Sequence, residues 1–452
     1  MAEPAITQKM SPRDLMIVLV IALGSFMAGL DATIVNIALP AIAKTFDIST
    51  VTVSWVLNAF LIVMVSLLLA ASRLGDMKGY RNFFLAGFVL FTLGSMLCGI
   101  APTMGILVLA RMLQAVGGAI ISALGAVMVT TYLSPSFRGQ ALGIVAMFVM
   151  LGAALGPVVG GFLTSAFSWR YIFYVNLPVG IIAVLLGINV LPRSDPVAPG
   201  AKLDIPGVLF LFLALGLLVI GLTSAEGDNT VKGLALIALS LVFWALLLVQ
   251  ERRAAEPLIS LALFSDRAYA FQNINILLVQ MAMAGVMVVM PFYLELVRNI
   301  PADNAGTVLL SLPVGMILTA PVAGKFLDVI GTKKPVIAGF AISVLATFLL
   351  STLSAETVIG LTALYLLLLG AGTGAAFAPL NSAVMGLVPA GERGSASGLM
   401  RVMANLGCTL GVAVVMLPIG AVRVGAGGRT VKNVPGVQGP QPHGPKAATY
   451  HT

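Results

Sequence analysis

The chain has 452 residues, of which 59% are hydrophobic and only 9% are charged, and its mean hydropathy is +1.05. This composition excludes an ordinary soluble domain and predicts an all-α polytopic membrane protein, because apolar runs of this length satisfy their backbone hydrogen bonds in lipid as helices. The formal charge of +8 is compatible with a nucleic-acid partner, but the positions of the basic residues indicate membrane orientation instead.

Apolar runs between polar breaks predict thirteen membrane-spanning helices, since about 20 apolar residues cross a bilayer. The first run is too long for the apolar core of a signal peptide, so we expect it to be retained. In chain order the predicted helices cover 15–39, 51–71, 83–101, 104–124, 141–166, 172–191, 205–223, 233–250, 270–297, 305–324, 336–353, 357–380 and 395–417.

The basic residues outside these helices are unevenly divided between the two sides of the membrane. With a cytoplasmic N-terminus, fifteen Lys and Arg residues fall in cytoplasmic loops and four in external loops. The positive-inside rule therefore predicts a multi-pass protein of the cell membrane with a cytoplasmic N-terminal segment at 1–14. The basic excess then requires no nucleic-acid partner.

The sequence contains an internal repeat. The segment RLGDMKG at 73–79 resembles KFLDVIG at 325–331, and RGQALG at 138–143 matches RGSASG at 393–398. The two offsets, 252 residues between the aspartates and 255 between the arginines, are nearly equal. Two matches at nearly one offset predict two parallel halves of six helices, with a substrate site between them.

The repeat divides the chain into segments. We expect an N-terminal half at 15–191, a two-helix insertion with its loops at 192–268 and a C-terminal half at 269–418. A sixth helix of the C-terminal half is expected near 426–445, but the polar, basic sequence at 419–452 is not apolar enough to span a membrane. The last helix is therefore missing from the predicted fold. A truncated or frame-shifted C-terminus, which the composition break favours, and an unusual native tail are the two explanations.

Six segments resemble motifs of one transporter family. They are LDATIVNIALP at 30–40, SWVLNAFLI at 54–62, RLGDMKGYR at 73–81, RMLQAVGGA at 111–119, GAALGPVVGG at 152–161 and WRYIFYVNLPVG at 169–180. Together they resemble the fourteen-helix drug:proton antiporter branch of the major facilitator superfamily. The resemblance implies a major facilitator fold, in which two extra helices lie between two six-helix halves, and the exchange of protons for exported compounds.

One acid and one arginine lie at matching depths in the predicted helices. Asp31 is eight residues from the end of the first helix at Leu39, and Arg111 is eight residues from the start of the fourth at Thr103. At 1.5 Å per residue, both are about 12 Å from the same membrane surface. Charges within a membrane usually pair or face a cavity, so we expect an ion pair or a shared cavity, against the alternative that Arg111 extends to the surface. Burial favours a neutral acid and a nearby guanidinium favours a carboxylate, so a change in their separation would let Asp31 exchange a proton.

Four other polar residues are candidates for the transport pathway. Glu295 lies near the outer end of the ninth helix, where members of the family often carry Gln, and is either a second proton-binding site or an interfacial glutamate beside Arg298. Asn36, Asn58 and Gln114 lie within apolar helices and either bind substrate or join helices.

Charged residues of the repeated loop motif are candidates for a conformational latch. Arg73, Asp76 and Arg81 lie in the predicted cytoplasmic hairpin, and Asp328 occupies the matching position of the second half. A carboxylate there can bind helix N-termini or basic groups and so hold the halves together. The alternative is that these charges only orient the hairpin.

The fifth predicted helix has small residues at four-residue spacing. Gly152, Gly156 and Gly160, with Gly161 beside them, leave a flat strip for the close approach of another helix, and Pro157 removes one backbone hydrogen bond. The resemblance identifies this stretch as the antiporter motif, and ordinary helix packing is the alternative.

These observations predict a transporter that exports amphipathic drugs or other small compounds in exchange for protons by alternating access. Its expected partners are a small-molecule substrate, protons and the lipid bilayer; we expect a monomer that needs no cofactor and no metal, driven by the proton gradient. The alternatives are a transporter of one specific metabolite or ion, and a non-transporting truncated remnant. An enzyme is not expected, because the sequence has no nucleotide-binding loop, no His/Cys metal cluster and no nucleophile turn.

Overall fold

The computed structural model of the protein is built from packed helices. Within the residues that it describes, thirteen helices are long and apolar enough to cross a membrane, which confirms the predicted all-α polytopic architecture. The described residues are 10–193, 195–197, 200, 202–224, 230–254, 261–331, 333–388 and 393–419.

The thirteen helices are named α1–α13 in chain order. A single turn residue interrupts α2, α6 and α10, and a short 3₁₀ helix at Leu261–Ser265 precedes α9. Their bounds are Pro12–Phe46 (α1), Thr50–Val53 with Trp55–Lys78 (α2), Tyr80–Ile100 (α3), Met104–Tyr132 (α4), Pro135–Ala166 (α5), Tyr171–Tyr174 with Asn176–Val190 (α6), Ile205–Ser224 (α7), Thr230–Arg253 (α8), Arg267–Phe292 continued by the π-helical Tyr293–Val297 (α9), Ala302–Leu309 with Ser311–Ile330 (α10), Lys333–Ser351 (α11), Ile359–Gly386 (α12) and Arg393–Ile419 (α13).

Several helices extend beyond their predicted apolar runs, as the first two show. The first was predicted to end at 39, but α1 continues through Pro40 and ends at Phe46; the next residue, Asp47, adopts φ 50°. Within a helix, a proline removes one backbone hydrogen bond, and the remaining bonds carry α1 past it. The second was predicted to end at 71, but α2 continues to Lys78. Arg73 and Asp76 therefore lie in the last turns of α2 and not in a hairpin loop, which corrects their predicted position.

The internal repeat is visible in the backbone. Gly79 follows α2 with φ 86°, and Gly331 follows α10 with φ 74°. Both glycines stand three residues after the repeated aspartates, and both adopt a backbone conformation that residues with a Cβ disfavour. The positive φ that the chain adopts directly after each helix thus explains why both motifs end in glycine.

The helices form two groups with an insertion beside them. In the first group, α1 packs along α5, α2 and α3 pack along α4, and α6 packs against α3. In the second group, α9 packs along α13, while α10 and α11 pack along α12. The inserted helices α7 and α8 pack on each other, and α7 also contacts α2 and α13. This arrangement matches the predicted two halves with two extra helices between them in sequence.

The two halves contact each other at both ends of the bundle. We call the end at which α1 begins the N-terminal face and the opposite end the far face. At the far face, Gly161 of α5 lies against the backbone of Ala302 in α10, and Gly306 of α10 lies against the carbonyl of Pro157. Towards the N-terminal face, Arg401 of α13 donates to the carbonyl oxygen of Ser122 in α4 at 2.6 Å.

The predicted polar tail at 419–452 lies outside the described residues except for its first position, which ends α13. The position predicted for a fourteenth helix, 426–445, lies outside them as well. The predicted explanations of the tail stay predictions.

Candidate functional site

Asp31 of α1 and Arg111 of α4 are in direct contact inside the first half. The Nη1 atom of Arg111 lies 2.8 Å from Oδ2 and 3.0 Å from Oδ1 of Asp31. The two side chains are 0% and 1% exposed. Their predicted equal depth is thus accompanied by lateral proximity, and the two charges neutralise each other where an isolated charge would be costly.

Contacts on several sides hold the guanidinium of Arg111. Its Nε donates to the carbonyl oxygen of Val56 in α2 at 3.0 Å, and its Nη1 also donates to Oε1 of Gln114 at 2.6 Å. The ring centroids of Phe60 and Phe173 lie 4.2 Å and 5.7 Å from its central carbon. A cation over an aromatic face is stabilised by the ring quadrupole. The arginine is therefore oriented by α2, α4 and α6 independently of the acid.

Gln114 extends the ion pair into a network. Its Nε2 donates to Oδ1 of Asp31 at 2.9 Å and to the hydroxyl of Ser95 at 2.8 Å. The amide of Asn176 in α6 also donates to Ser95, at 3.3 Å. Gly94 makes this approach possible, because a Cβ there would lie 2.6 Å from the backbone nitrogen of Gln114. The network therefore joins α1, α3, α4 and α6.

Both carboxylate oxygens of Asp31 have hydrogen-bond partners in this network. Its carboxylate accepts hydrogen bonds from Arg111 and Gln114. A proton bound to Asp31 would remove the negative partner of a buried arginine, and an unpaired buried charge is strongly unfavourable. The contact between α1 and α4 in this structure therefore relies on both charges being present.

Of the three predicted amides, only Gln114 belongs to this network. Asn58 of α2 is fully buried; its amide lies 3.4 Å from the hydroxyl of Ser54, and its Oδ1 has no hydrogen-bond partner among the described residues. Asn36 lies 3.4 Å from the carbonyl of Ala32 in its own helix. For Gln114 the structure shows the helix-joining contact that the sequence offered as one alternative.

Glu295 lies in the π-helical turn that ends α9, in the other half. Its Oε1 is buried and has no hydrogen-bond partner among the described residues. Arg298, the neighbour considered from the sequence, donates instead to the carbonyl oxygen of Ala355. The structure does not bring Glu295 to the contacts of Asp31, so any role in proton exchange would be separate.

The small residues of α5 make close contact with α1. A Cβ at Gly152 would meet the carbonyl of Phe26, one at Gly156 would meet the hydroxyl of Thr33, and one at Gly160 would lie 2.6 Å from the side chain of Ile37. The two helices run parallel, because successive positions of α5 meet successive positions of α1. The predicted strip is thus a helix–helix contact surface, and Gly161 extends it to α10.

Pro157 leaves one backbone carbonyl of α5 without its helical donor, and a side chain of α1 donates to that carbonyl instead. Because proline has no N–H, the carbonyl of Ala153, four residues earlier, loses its usual helical donor. The hydroxyl of Thr33 lies 3.0 Å from this oxygen, closer than its 3.3 Å distance to the carbonyl of Gly29 in its own helix. The hydroxyl of Thr33, in the motif of α1, therefore replaces the N–H donor that Pro157, in the motif of α5, lacks.

Two predicted latch residues of the first half, Asp76 and Arg81, contact their own half and the segment after α6. Oδ1 of Asp76 accepts from the hydroxyl of Tyr80 at 2.8 Å, and the backbone carbonyl of Asp76 accepts from the N–H of Val197 at 2.8 Å. Arg81 donates to the carbonyl oxygen of Ile188 in α6. The side chain of Asp328 lies outside the described residues. These contacts fix the end of α2 to the segment after α6.

Several residues of the site were not singled out from the sequence. Asn176 and Phe173 lie within the motif at 169–180, so the motif marked their segment but gave no reason to select them. Ser95 had no signal, because a serine in an apolar helix commonly bonds its own backbone. The carbonyl of Val56 is a backbone group, which no sequence pattern identifies.

Comparison with known proteins decides the family. A family model described as Major Facilitator Superfamily matches residues 21–412. The chain belongs to the major facilitator superfamily. Superfamily relatives with known names include the riboflavin transporter RibZ of Clostridioides difficile (strain 630), which is 34% identical over 88% of this chain and 86% of its own length.

Two further superfamily relatives are named for resistance. The multidrug resistance protein Stp of Mycobacterium tuberculosis (strain ATCC 25618 / H37Rv) is 31% identical, over 90% of this chain and 76% of the relative. The tetracenomycin C resistance and export protein of Streptomyces glaucescens is 32% identical, over 88% of this chain and 74% of the relative. These similarities identify this chain as a membrane transporter of small molecules and not an enzyme.

Solved structures of the superfamily share the fold. A peptide transporter, POT, superposes with a TM-score of 0.66 at 15% identity, covering 89% of this chain and 88% of that one. A bacterial homologue of the human lysosomal transporter Spinster, in an inward-facing and unoccupied conformation, superposes with a TM-score of 0.63 at 15% identity, covering 90% and 82%. At this identity the likeness concerns the fold alone.

Proposed function

We propose that this major facilitator protein exports amphipathic small molecules from the cytoplasm in exchange for protons. The buried pair of Asp31 and Arg111 carries the proposal, because it places one exchangeable acid in a site that must rearrange when the acid is neutralised. The names of two relatives, a multidrug resistance protein and a resistance and export protein, support export of such compounds. The protein acts as a monomer in the cell membrane with its N-terminus in the cytoplasm.

The exchange proceeds through two states of the network. When the halves separate at the far face, Asp31 takes up a proton from outside, and its bonds to Arg111 and Gln114 weaken. Arg111 keeps its contacts with the carbonyl of Val56 and the ring of Phe60. The helix that moves is therefore α1, which carries Asp31. When the halves separate at the N-terminal face, substrate binding and the renewed ion pair release the proton to the cytoplasm. Asn36 and Asn58 face substrate in this scheme.

A second proton is exchanged at Glu295. Its Oε1 is buried without a hydrogen-bond partner among the described residues, which supports this assignment because acids within membrane helices usually mark functional sites. Arg298 does not supply the neutralising charge, since it is bonded to Ala355. A second acid in the other half would let each half respond to the proton gradient.

The remaining motifs shape the movement between the two states. Arg73, Asp76, Arg81 and Asp328 form the latch at the N-terminal face, where the contacts of Asp76 already tie the end of α2 to Tyr80 and Val197. The strip of Gly152, Gly156 and Gly160 with Pro157 keeps α1 and α5 moving as one body. Gly161 lies where this body meets α10.

Transport by the full chain in proteoliposomes tests the proposal. With an imposed proton gradient, the wild-type protein should move a fluorescent amphipathic cation and release protons in the opposite direction. Asp31→Asn should abolish the dependence on the gradient while substrate binding persists. Asp14→Asn, at the start of α1, is the matched control and should behave like wild type. A gradient-dependent rate that is unchanged in Asp31→Asn would exclude Asp31 as the proton carrier.

A second candidate is transport of one specific metabolite. The relative named as a riboflavin transporter is 34% identical over 86% of its own length, which favours it. Competition decides between the candidates: an exporter of amphipathic compounds should be inhibited by several unrelated amphipaths, whereas a specific transporter should be inhibited by riboflavin or another single compound. Saturable transport of riboflavin that unrelated amphipaths leave unchanged would replace the first candidate with the second.

A further inference from the structure

The side-chain amide of Gln114 has a partner in every direction that it can use. Its Nε2 donates to Oδ1 of Asp31 at 2.9 Å and to the hydroxyl of Ser95 at 2.8 Å. Its Oε1 accepts from Nη1 of Arg111 at 2.6 Å and from the thiol of Cys98 at 3.8 Å. A glutamine amide has two N–H groups and two acceptor positions on its oxygen, so all four are in use. These partners give the amide one orientation in this structure.

This orientation suits Asp31 as a carboxylate and not as a carboxylic acid. The hydrogen-bond partners of Asp31 are Nη1 of Arg111 and Nε2 of Gln114, and both groups are donors. A protonated carboxyl group carries an O–H, which needs an acceptor when it is buried. Arginine has no acceptor, whereas the other end of the glutamine amide is one. Turning the amide of Gln114 end for end would therefore place an acceptor beside a protonated Asp31.

The other partners of Gln114 differ in whether they fit a reversed amide. The hydroxyl of Ser95 and the thiol of Cys98 can each donate or accept, so both fit either orientation. Arg111 only donates, so a reversed amide would turn its N–H groups towards a guanidinium that also carries only N–H groups. Binding of a proton by Asp31 would then end both contacts that Nη1 of Arg111 makes with side chains.

Asn176 fixes the hydroxyl that the amide keeps in both orientations. Its Nδ2 donates to Oγ of Ser95 at 3.3 Å, and both side chains are 0% exposed. In this structure Ser95 accepts from Gln114 as well as from Asn176. With the amide reversed, the O–H of Ser95 can donate to Oε1 of Gln114 while Ser95 still accepts from Asn176. Ser95 therefore stays in place while its hydrogen bond to Gln114 changes direction.

Other charged groups of the first half lie far along the helices from this network. Apart from Asp31 and Arg111, the charged residues of α1–α6 lie in the first two or the last two turns of their helices. In the described part of the chain, Glu295 of α9 is not among the hydrogen-bond partners of Asp31. The protonation state of Asp31 is thus the charge change that the amide of Gln114 meets directly.

We propose that the amide of Gln114 reverses when Asp31 binds a proton, with Ser95 as its hydrogen-bond partner in both orientations. In the reversed state Oε1 of Gln114 accepts from the O–H of Asp31 and from the hydroxyl of Ser95. Gln114 is thus a positioning residue, which transmits proton binding on α1 to Arg111 on α4. The trigger rests on the proposed proton uptake by Asp31.

Infrared difference spectra of the purified full-length protein in lipid nanodiscs, recorded on acidification, test the reversal. A protonated Asp31 gives a carboxylic acid C=O band, which Asp31→Asn removes. Glutamine labelled with carbon-13 at the side-chain carbonyl gives a shifted amide band, and Gln114→Met removes the part that belongs to Gln114. We expect the two bands to change together at the same pH, because the carbonyl of Gln114 exchanges its hydrogen-bond partners. Should Gln114→Met not fold, Gln114→Leu assigns the same band.

A second glutamine is the matched control for the spectra. The Nε2 atom of Gln280 in α9 lies 3.8 Å from Sγ of Cys408, outside the network of Asp31. Gln280→Met should leave the coupled change of the two bands intact.

Variants of Ser95 separate the shared hydrogen bond from general packing. With ethidium as the transported probe in proteoliposomes, Ser95→Ala should lower the maximal gradient-driven rate about fivefold, as for one lost hydrogen bond. The KM for ethidium should stay the same. Ser95→Thr keeps the hydroxyl and should retain most of the rate. Ser66→Ala is the control, since the buried Ser66 donates only to the carbonyl of Ile62 in its own helix, at 2.8 Å, and should transport at the wild-type rate.

The outcomes separate the reversal from the proposed function. An acid band of Asp31 without a change at Gln114, or equal losses of rate in Ser95→Ala and Ser66→Ala, would overturn the reversal and leave proton uptake in place. Coupled bands in a protein whose ethidium export ignores the proton gradient would support the reversal and remove the proposed function. Absence of the acid band over the pH range in which the protein stays folded would overturn both.

Discussion

The hydroxyl of Thr33 lies 3.0 Å from the carbonyl oxygen of Ala153 and so joins α1 to α5 at the point where Pro157 has removed a helical donor. A backbone carbonyl without a donor inside a membrane is costly, since no water replaces the lost bond. The side chain of one helix therefore completes the backbone of another. This bond makes the pairing of α1 with α5 specific in register.

Replacing Thr33 should show how much this hydrogen bond contributes to the free energy of unfolding. Thr33→Val keeps the shape of the side chain but removes the donor, so the free energy of unfolding should fall by about 1 kcal/mol. Thr33→Ser keeps the hydroxyl and should retain most of the stability. Chemical denaturation in mixed micelles measures both. Equal stability of the Val variant and the wild type would show that the oxygen of Ala153 needs no partner.

Arg111→Lys should impair transport although the charge is kept. The guanidinium reaches Asp31 through Nη1 and the carbonyl of Val56 through Nε, and one ammonium group does not reproduce both directions. We expect loss of at least one hydrogen bond to a charged group, about 1.5–3 kcal/mol, and a proton-coupled rate reduced at least tenfold. Thermal unfolding and proteoliposome transport measure these effects.

The control for this change is Arg138→Lys at the start of α5. Arg138 donates through Nε to the carbonyl of Leu133 and lies outside the network of Asp31. The Arg138→Lys variant should therefore transport at the wild-type rate. Similar losses in both variants would mean that arginine is needed generally and that the contact with Asp31 is not special.

Glu295→Gln should change the number of protons exchanged. The substitution keeps the size of the side chain but removes the exchangeable acid in the second half, so fewer protons should move with each substrate molecule. A pH-sensitive dye in the vesicle lumen and labelled substrate give the ratio. Glu356→Gln is the control, since Glu356 is an exposed acid near the same face of the bundle. An unchanged ratio in Glu295→Gln would assign Glu295 a structural role.

Gly306→Ala should push the two halves apart at the far face. Its new methyl group would meet the carbonyl of Pro157 across the contact between α5 and α10. Overpacking of this kind costs about 1–3 kcal/mol, enough to change the ratio of closed to open states roughly tenfold. Spin labels at Phe167 and Asn304, which are exposed near this contact, should show a larger population of long distances.

The control for the spin-label measurement on Gly306→Ala is Gly360→Ala. Nothing lies within 4 Å of a Cβ built at Gly360, so the distance distribution should match that of wild type. An unchanged distribution in Gly306→Ala would show that this contact can absorb a methyl group without opening.

The sequence predicted the helices and the depth of the charges well, because both follow from position along one helix. Thirteen apolar runs correspond to thirteen helices, and counting residues from the helix ends placed Asp31 and Arg111 at one level. Which helices lie side by side depends on packing between distant segments. The contact of Gln114 with Ser95 and Asn176 was therefore beyond the reach of a pattern read along the chain.

Helix ends were predicted less well for a physical reason. Hydropathy marks where a helix leaves lipid, whereas hydrogen bonding marks where the helix stops. In α2 the polar residues up to Lys78 keep their helical bonds, and only Gly79, with φ 86°, turns the chain. In α1 the single proline at Pro40 removes one bond and leaves the helix intact up to Phe46.

The far-face contact also determines how separation at that face responds to salt. In the described part of α5 and α10 the halves meet through glycines on carbonyl groups and through the N–H of Asp303 on the hydroxyl of Ser165, with no pair of opposite charges. Ions screen charges but leave such neutral contacts unchanged. Separation at the far face should then be insensitive to ionic strength.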